Sequence, residues 1–249
     1  MQVGVVRWCA WAPGLEDEPA WRAFARQPHA PKRERRAPPV DFVPAMQRRR
    51  CDDVARMVLH VANGCAKPEE LASLPVVLAS RHGPFENTVE LLEHIAEEKP
   101  LSPTGFSHSV HNTALGLFSI WSGNRAASVA LAAGRDTFAL GFVEALALLQ
   151  RTRRDEVLYI CADETVPEPL AALAERDGGH YALALRLARG SGEPPLRLRI
   201  GAGDPAPEPA REWPDALEFL RWWLGDTREL EIARGVNRFA WARAEAACS

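Results

Sequence analysis

Thiols and imidazoles are the side chains of this chain that could carry out covalent or metal chemistry. His108 and His111 lie three residues apart, a spacing that can present two ligands to one metal ion, but no third ligand lies near them in the sequence. The thiols are an odd set without a Cys-x-x-Cys pair: Cys9, Cys51, Cys65, Cys161 and Cys248. Such a set argues against a disulfide framework and against a zinc site. We therefore expect no metal and no cofactor.

The elements that must position these residues alternate between apolar strands and helices. Apolar runs bounded by turn residues predict strands at 3–6, 75–79, 156–161 and 180–187. Helical spacing predicts helices at 16–27, from 46 onward, and at 86–97, 108–121, 136–150 and 167–176. Cys161 falls inside a predicted strand, where we expect a buried and inert thiol. This alternating order is typical of an α/β protein.

Two of the predicted helices, 108–121 and 136–150, are apolar on nearly all sides. Helices of this kind are surrounded by protein, so we expect both to be buried on every side. Residues 27–44 are rich in Pro, Arg and Lys without a period, which predicts an ordered surface loop. After position 189 the pattern is interrupted by Gly and Pro, and we expect an edge strand at 196–200, a helix at 214–224 and a tail at 237–247.

The composition is that of a soluble globular protein. The 249 residues are 47% hydrophobic and 25% charged, which is enough to bury a core without metal or disulfide support. The net charge of −3 gives no overall attraction to nucleic acid or to anionic membranes. No N-terminal run has the order of a signal peptide, and no apolar stretch is long enough to span a membrane. We expect a cytoplasmic protein without a nucleic-acid partner.

The segment from Ser102 to Gly141 carries a resemblance to a known family. It reads SPTGFSHSVHNTALGLFSIWSGNRAASVALAAGRDTFALG. It resembles the centre of the β-ketoacyl synthases, thiolase-fold enzymes in which a buried strand ends at a nucleophilic cysteine and a glycine follows eight residues later. The residues 128–133 occupy the frame of that strand, and Gly141 is the glycine. The position of the nucleophile is Ala133.

The resemblance covers about residues 1–188 and is close over 40–162. It implies a thiolase-like α/β fold, but only its N-terminal half: a five-stranded mixed sheet with buried central helices. The histidine motifs of the second half, of the His-Gly-Thr and Asn-x-Gly-His type, do not occur in the chain. We therefore expect a ketosynthase-like domain at 1–189 and a C-terminal extension at 190–249, packed on the same body.

Shorter pieces narrow the resemblance further. The motifs WAPGLE, RRR, SRHG, GLFSI and LAAG resemble half-length ketosynthase-like subunits found with aryl-polyene-type biosynthetic genes. Those subunits are regarded as chain-length-factor-like partners of a full ketosynthase. Related chain length factors usually have glutamine at the nucleophile position, so Ala133 departs from that pattern too. The resemblance implies a catalytically inactive subunit of a 3-oxoacyl-ACP synthase complex, forming a heterodimer in aryl-polyene or fatty-acid-type biosynthesis.

By the same resemblance, two sets of residues face a partner ketosynthase. The strand before the nucleophile position pairs across the dimer axis, which implicates Ala127, Ser128, Val129, Ala130 and Leu131. The helix before that strand contributes to the acyl tunnel of the partner, which implicates Phe106, His108, Val110, Asn112, Leu115 and Phe118. The alternative for these side chains is an ordinary core or interface role. A tunnel gate acts sterically, and one methylene of cavity corresponds to only about 1 kcal/mol.

Local charge suggests one further site. Arg48, Arg49 and Arg50 lie at the start of a predicted helix, where cations oppose the helix dipole. In the enzymes that the chain resembles, a basic patch near this place meets the acidic acyl carrier protein. The alternative is a solvated charge run. Asp136 is expected to cap the helix that follows it, with Arg135 paired to it.

Two other functions remain open at this point. One is a ketosynthase-like decarboxylase or acyltransferase with an atypical active site. The other is a structural homodimer without a biosynthetic partner. The sequence does not identify the ketosynthase, the product or its chain length.

Overall fold

The computed structural model describes residues 3–168, 170, 179–192, 194–203, 213–234 and 236–244. Most of the helix predicted at 167–176, and the end of the predicted tail after Ala244, lie outside the described residues. Within the described residues, no helix is both long and apolar enough to cross a bilayer.

The described residues form eight strands and nine α-helices. The strands are β1 (Val3–Trp11), β2 (Val76–Ala79), β3 (Ser128–Leu131), β4 (Glu156–Asp163), β5 (Tyr181–Arg189), β6 (Leu196–Ala202), β7 (Glu229–Arg234) and β8 (Asn237–Arg243). The helices are α1 (Glu18–Arg26), α2 (Ala45–Arg48), α3 (Asp53–Cys65), α4 (Pro68–Leu71), α5 (Phe85–Ala96), α6 (Pro103–His108), α7 (Thr113–Ser122), α8 (Thr137–Thr152) and α9 (Asp215–Leu224).

All eight strands belong to one mixed sheet with the order β3-β2-β4-β5-β1-β6-β8-β7. β2 runs parallel to β3 and β4, and the other pairs are antiparallel. The first five strands in this order are those of the predicted half-fold, and the thiolase-like α/β fold is confirmed. The residues after 189 extend the same sheet by three strands.

Two predictions about that C-terminal segment were wrong. β6 is not an edge strand, because Leu196 pairs with Val3 of β1 on one side and with Arg243 of β8 on the other. The predicted tail is β8, which lies between β6 and β7. Strand periodicity reports which side chains are buried, and it does not report how many neighbours a strand has.

Helices cover both faces of the sheet. One core joins α3 and α7 to one face, and the other joins α1, α8 and α9 to the opposite face. The helix predicted at 108–121 is wrong in its first part, because α6 ends at His108 and residues 109–112 form a turn before α7 begins at Thr113. α7 is not buried on every side in this chain, since Ile120 is 59% exposed. α8 is covered along most of its length, but it is not buried on every side as predicted, since Leu140 is 37% exposed.

The C-terminal segment covers α8 with aromatic rings. The ring centroid of Phe138 lies 5.4 Å from that of Phe219 on α9 and 5.8 Å from that of Trp241 on β8. Phe142, one helical turn further on, lies 5.8 Å from Phe219 and 6.0 Å from Trp241. Rings at these separations pack favourably and bury a large apolar area. These rings bury much of the apolar surface of α8 against the C-terminal segment, while Leu140 remains 37% exposed.

Candidate functional site

Ala133, which the resemblance places at the nucleophile position, lies in the turn between β3 and α8. Ala133 comes two residues after the end of β3, and a 3-10 turn at Gly134–Asp136 leads into α8. The Ala133 amide donates a hydrogen bond of 2.9 Å to Thr137 Oγ1, and that hydroxyl donates one of 2.7 Å to the Gly134 carbonyl. Gly134 has a φ of 57°, which glycine adopts at little cost. The turn thus has the strand-to-helix form that a nucleophile would need, with a methyl group in its place.

Asp136 does not cap α8, so that prediction was wrong. Its carboxylate makes no capping hydrogen bond, and its Oδ2 accepts a hydrogen bond of 2.5 Å from Asn237 Nδ2 on β8. The backbone of Asp136 has φ −86° and ψ 7°, whereas a capping residue needs an extended backbone. Its Oδ1 is buried and has no partner within the described part of the chain. Asp136 therefore ties the turn to the C-terminal segment.

The thiols of the described residues are unsuited to nucleophilic attack. Burial raises the pKa of Cys9 to about 11 and raises the pKa of Cys161 further. Burial also raises the pKa of Cys51 and of Cys65. Since the thiolate is the nucleophile, these four side chains are protonated and unreactive near neutral pH. Cys248 lies outside the described residues.

His111 contacts the loop after β2 through its imidazole, and His108 contacts α5 through its backbone carbonyl. His111 Nε2 lies 2.8 Å from the Ser80 carbonyl, and because a carbonyl only accepts, this nitrogen carries the proton. The His108 carbonyl accepts a hydrogen bond of 3.3 Å from Asn87 Nδ2. In the described part of the chain, no group of three or more His, Cys, Asp or Glu side chains is arranged to hold a metal ion.

A buried hydrogen-bond network, which the sequence analysis missed, holds the loop after β2. Asp163 Oδ1 accepts hydrogen bonds of 2.9 Å from Ser80 Oγ, 2.8 Å from the Arg81 amide and 3.1 Å from the His82 amide. The Tyr181 hydroxyl donates a hydrogen bond of 3.1 Å to Asp163 Oδ2. Burial raises the pKa of Asp163, and the donated hydrogen bonds oppose that rise. Because Ser80 also bonds His111, the network fixes the start of the turn that leads into α7.

A surface groove brings together several of the residues that the resemblance implicated. Its cavity of about 430 Å³ is lined by Val110, His111, Asn112, Leu115, Gly116, Ser119, Ser128 and Ala130. Three predicted tunnel residues and two predicted interface residues therefore lie around one groove. Phe106 is 65% exposed and lies outside this lining, whereas Phe118 is buried in the core beneath α7. His108 also lies outside it.

The groove borders the free edge of β3. The Ala127 carbonyl accepts from the Val76 amide, and the Leu131 carbonyl accepts from the Ser80 amide, so these residues face β2. Backbone groups alternate in direction along a parallel strand, and those of Ser128 and Ala130 therefore point to the open side. No charged residue occurs from 126 to 133. Charges normally block pairing at an exposed edge, and this edge lacks them.

The three arginines of the predicted docking patch do not start a helix. Arg48 is the last residue of α2, and Arg49 and Arg50 follow in the turn before α3. The predicted helix divides here into α2 and α3, so no helix dipole opposes these charges. Arg48 pairs with Asp41 at 2.6 Å, which leaves Arg49 and Arg50 as the exposed members of the patch.

Gly141 is required by close packing. A Cβ atom at this position would lie 2.6 Å from Ala79 Cβ and 2.9 Å from Tyr159 Cε2. The glycine that lies eight residues after the nucleophile position thus lets α8 approach β2 and β4.

The comparisons with known proteins agree with this geometry. A family profile described as the β-ketoacyl synthase N-terminal domain matches residues 21–242. A search of curated proteins found no match. One chain from the complex of a ketosynthase, ApeO, with its chain length factor, ApeC, from Xenorhabdus doucetiae is 26% identical, with a TM-score of 0.84. That alignment covers 98% of this chain and 100% of the other.

Two further structures show the fold at lower identity. A chain of the ishigamide ketosynthase/chain length factor is 16% identical with a TM-score of 0.62, and the alignment covers 80% of this chain and 68% of that one. A β-ketoacyl synthase from Burkholderia phymatum is 13% identical with a TM-score of 0.59, and the alignment covers 81% of this chain and 64% of that one.

Proposed function

The chain belongs to the β-ketoacyl synthase family, and from that premise we propose that it is a non-catalytic, chain-length-factor-like subunit. In this proposal it pairs with an active β-ketoacyl-ACP synthase and shapes the acyl tunnel of that partner. The biosynthesis it serves is of the aryl-polyene or fatty-acid type. The observation that carries the proposal is Ala133, a methyl group in the turn where a condensing enzyme needs a nucleophile.

The chemistry of the family explains why Ala133 argues against condensation by this chain. Condensation proceeds through an acyl thioester on a cysteine, whose thiolate is favoured by the positive end of the helix that it opens. A methyl side chain forms no thioester. The pKa values of Cys9 and Cys161 are raised, so neither offers a substitute thiolate at neutral pH. In this proposal, the condensing cysteine comes from the partner.

Pairing with a ketosynthase is supported by the free edge of β3 and by the groove beside it. A neutral, unpaired strand edge is a template for a strand of another chain. One similar chain, which the alignment covers over its full length, comes from a ketosynthase in complex with its chain length factor. A partner strand on β3 would place its neighbouring elements over Val110 and Leu115 of the groove.

Docking of an acyl carrier protein is a separate part of the proposal. Arg49 and Arg50 are exposed cations in the turn after α2, and they suit an acidic partner. Changing both to Glu should weaken carrier binding to the complex, more at low than at high ionic strength. Unchanged binding would leave the patch as solvated surface.

The central experiment is co-expression with a full-length ketosynthase from the same organism. We expect a complex of equal stoichiometry whose condensation activity requires the cysteine of the partner. The isolated chain should not decarboxylate malonyl-carrier protein. Turnover by the isolated chain that a point change near Ala133 abolishes would instead support the decarboxylase or acyltransferase. A stable self-associated chain that ignores the ketosynthase would support the structural homodimer.

The tunnel role is tested by product length. Leu115→Ala in the complex enlarges the groove by three carbon atoms, and Phe106→Ala removes an exposed ring. If these side chains limit the tunnel, the products should become longer, whereas Met46→Ala on α2 should leave them unchanged. Equal product length in all three variants would refute the gating role.

A further inference from the structure

A cavity beside β6, β7 and β8 is lined by more positive than negative side chains. Its volume is about 490 Å³, and its lining includes four arginines and a single carboxylate. The arginines are Arg197, Arg199, Arg228 and Arg243, and the carboxylate is that of Glu229. Since the whole chain has a net charge of −3, the basic lining does not reflect the overall composition.

The register of the three strands explains how the cavity forms. Arg197 is opposite Ala242 and Arg199 is opposite Ala240 in the ladder between β6 and β8, and Ala242 is opposite Glu229 in the ladder between β7 and β8. Residues in these positions project from the same face of a sheet. The short alanine side chains of the central strand leave a recess between the longer side chains of the two outer strands.

Arg243 is fixed on the other side of the sheet, against α9. Its Nη2 donates hydrogen bonds of 2.9 and 3.0 Å to the carbonyls of Trp222 and Trp223, and its Cζ lies 5.4 Å from the ring centroid of Trp222. These carbonyls are at the C-terminal end of α9, so the cation offsets the negative end of the helix dipole. The arginines that face the recess are therefore those of β6.

The two arginines of β6 are accessible to a ligand. Arg199 pairs with Glu229 at 3.3 Å, but the two side chains are 65% and 67% exposed. An ion pair so exposed to water contributes little, and an anionic ligand can replace the carboxylate at small cost. Arg197 is exposed and forms no ion pair with a described residue.

Backbone hydrogen bonds hold the rim of the cavity. The Arg243 amide donates to the Arg228 carbonyl at 3.0 Å, and the Ala244 amide donates to the Pro195 carbonyl at 2.7 Å. These bonds join the residue before β7 to the end of β8, and the residue after β8 to the residue before β6. A site that is already ordered pays less entropy when a ligand binds.

We infer that this cavity binds a small molecule that carries a phosphate monoester or a diphosphate group. Guanidinium groups present paired N–H donors whose geometry matches the oxygens of a phosphate. The volume is in the range of small-molecule sites. The strands that form the cavity lie at the opposite end of the sheet from β3, and the inference does not depend on the proposed subunit role.

The test is isothermal titration calorimetry of the full chain with inorganic pyrophosphate at constant ionic strength. Arg197→Ala combined with Arg199→Ala should weaken binding at least tenfold. Arg49→Ala combined with Arg50→Ala removes the same charge from exposed positions elsewhere and should change binding less than twofold. Absence of binding to the unaltered chain, or an equal effect of the two pairs of substitutions, would overturn the inference.

Glu229→Gln provides a change in the opposite direction. Removal of the carboxylate that competes for Arg199 should tighten pyrophosphate binding about two- to fivefold. A damaged fold would weaken binding, so a gain in affinity separates the two effects. Glu231→Gln removes the same charge from the same strand, outside the cavity lining, and should have a smaller effect. Unchanged or weaker binding by Glu229→Gln would contradict the proposed site.

Two further ligands distinguish the possible sources of the phosphate group. A nucleoside diphosphate that binds at least as tightly as pyrophosphate, and that loses affinity in the Arg197→Ala and Arg199→Ala variant, would support a small phosphorylated ligand. A short single-stranded DNA that binds more tightly than both would indicate an extended phosphate-binding surface and would overturn the inference.

Discussion

Replacing Gly141 by alanine tests whether close packing of α8 on the sheet requires a glycine. The added Cβ would lie 2.6 Å from Ala79 Cβ, 2.9 Å from Tyr159 Cε2 and 3.0 Å from Tyr159 Oη. Neither neighbour can retreat easily. Ala79 is the fully buried last residue of β2 and has no rotatable side-chain torsion, and Tyr159 donates a hydrogen bond of 2.6 Å to the Phe138 carbonyl. The helix or the strand must therefore shift.

The magnitude follows from two opposing effects. Overpacking of a dense core costs about 1–3 kcal/mol, and the short distances favour the upper end. Alanine is better than glycine in a helix by about 1 kcal/mol, which leaves a net loss of about 2 kcal/mol. For a chain of this size such a loss lowers the melting temperature by about 4–8 °C.

Gly116 on α7 is the matched control for the alanine substitution. A Cβ there meets no atom within 4 Å, so Gly116→Ala should raise the free energy of unfolding by about 1 kcal/mol. Thermal unfolding followed by circular dichroism compares the two variants. Equal stability of Gly141→Ala and the unaltered chain would refute the packing argument.

Two buried acids give further predictions. Burial raises the pKa of Glu164 to about 7. A carboxylic acid whose pKa is higher in the folded than in the unfolded state favours folding only while it is protonated. The free energy of unfolding should therefore fall by about 3 kcal/mol as pH rises from about 4.5 to 7. Glu164→Gln, which can still accept from the Glu86 amide, should abolish that slope in unfolding measured across pH. Asp163→Asn places an amide where hydrogen-bond donors converge and should destabilise the chain by about 1–3 kcal/mol, whereas Asp155→Asn on the surface should have little effect. Unchanged stability of Asp163→Asn would mean that the network contributes little.

The strands of the half-fold could be predicted because each one is a short apolar run with turn residues at its ends. β2, which is buried at all four positions, was located to within a residue. The turn at 109–112, which separates α6 from α7, could not be predicted in this way. His111 leaves the helix to bond Ser80, 31 residues away, and helical periodicity contains no information on such a contact. The thiolase-like fold itself rested on the resemblance around Ala133.

Part of the network around Asp163 could have been predicted from the polar residues at the carboxyl ends of two strands. Ser80 comes directly after β2, and Asp163 ends the neighbouring β4, whose Cys161 is opposite Ala79. Polar residues at the carboxyl ends of adjacent parallel strands come together at one edge of a sheet, and this rule could have placed Ser80 beside Asp163. Tyr181 could not have been placed, because its position depends on the antiparallel register of β5.

The C-terminal segment decides which side of the molecule is left for a partner. Its aromatic side chains cover α8, and its strands continue the sheet beyond β1. The outer strand on that side, β7, carries Glu229 and Glu231, charges that discourage pairing with another chain. At the opposite end, β3 is short, neutral and bordered by the groove. The segment that buries much of α8 thus also leaves β3 as the end of the sheet suited to association.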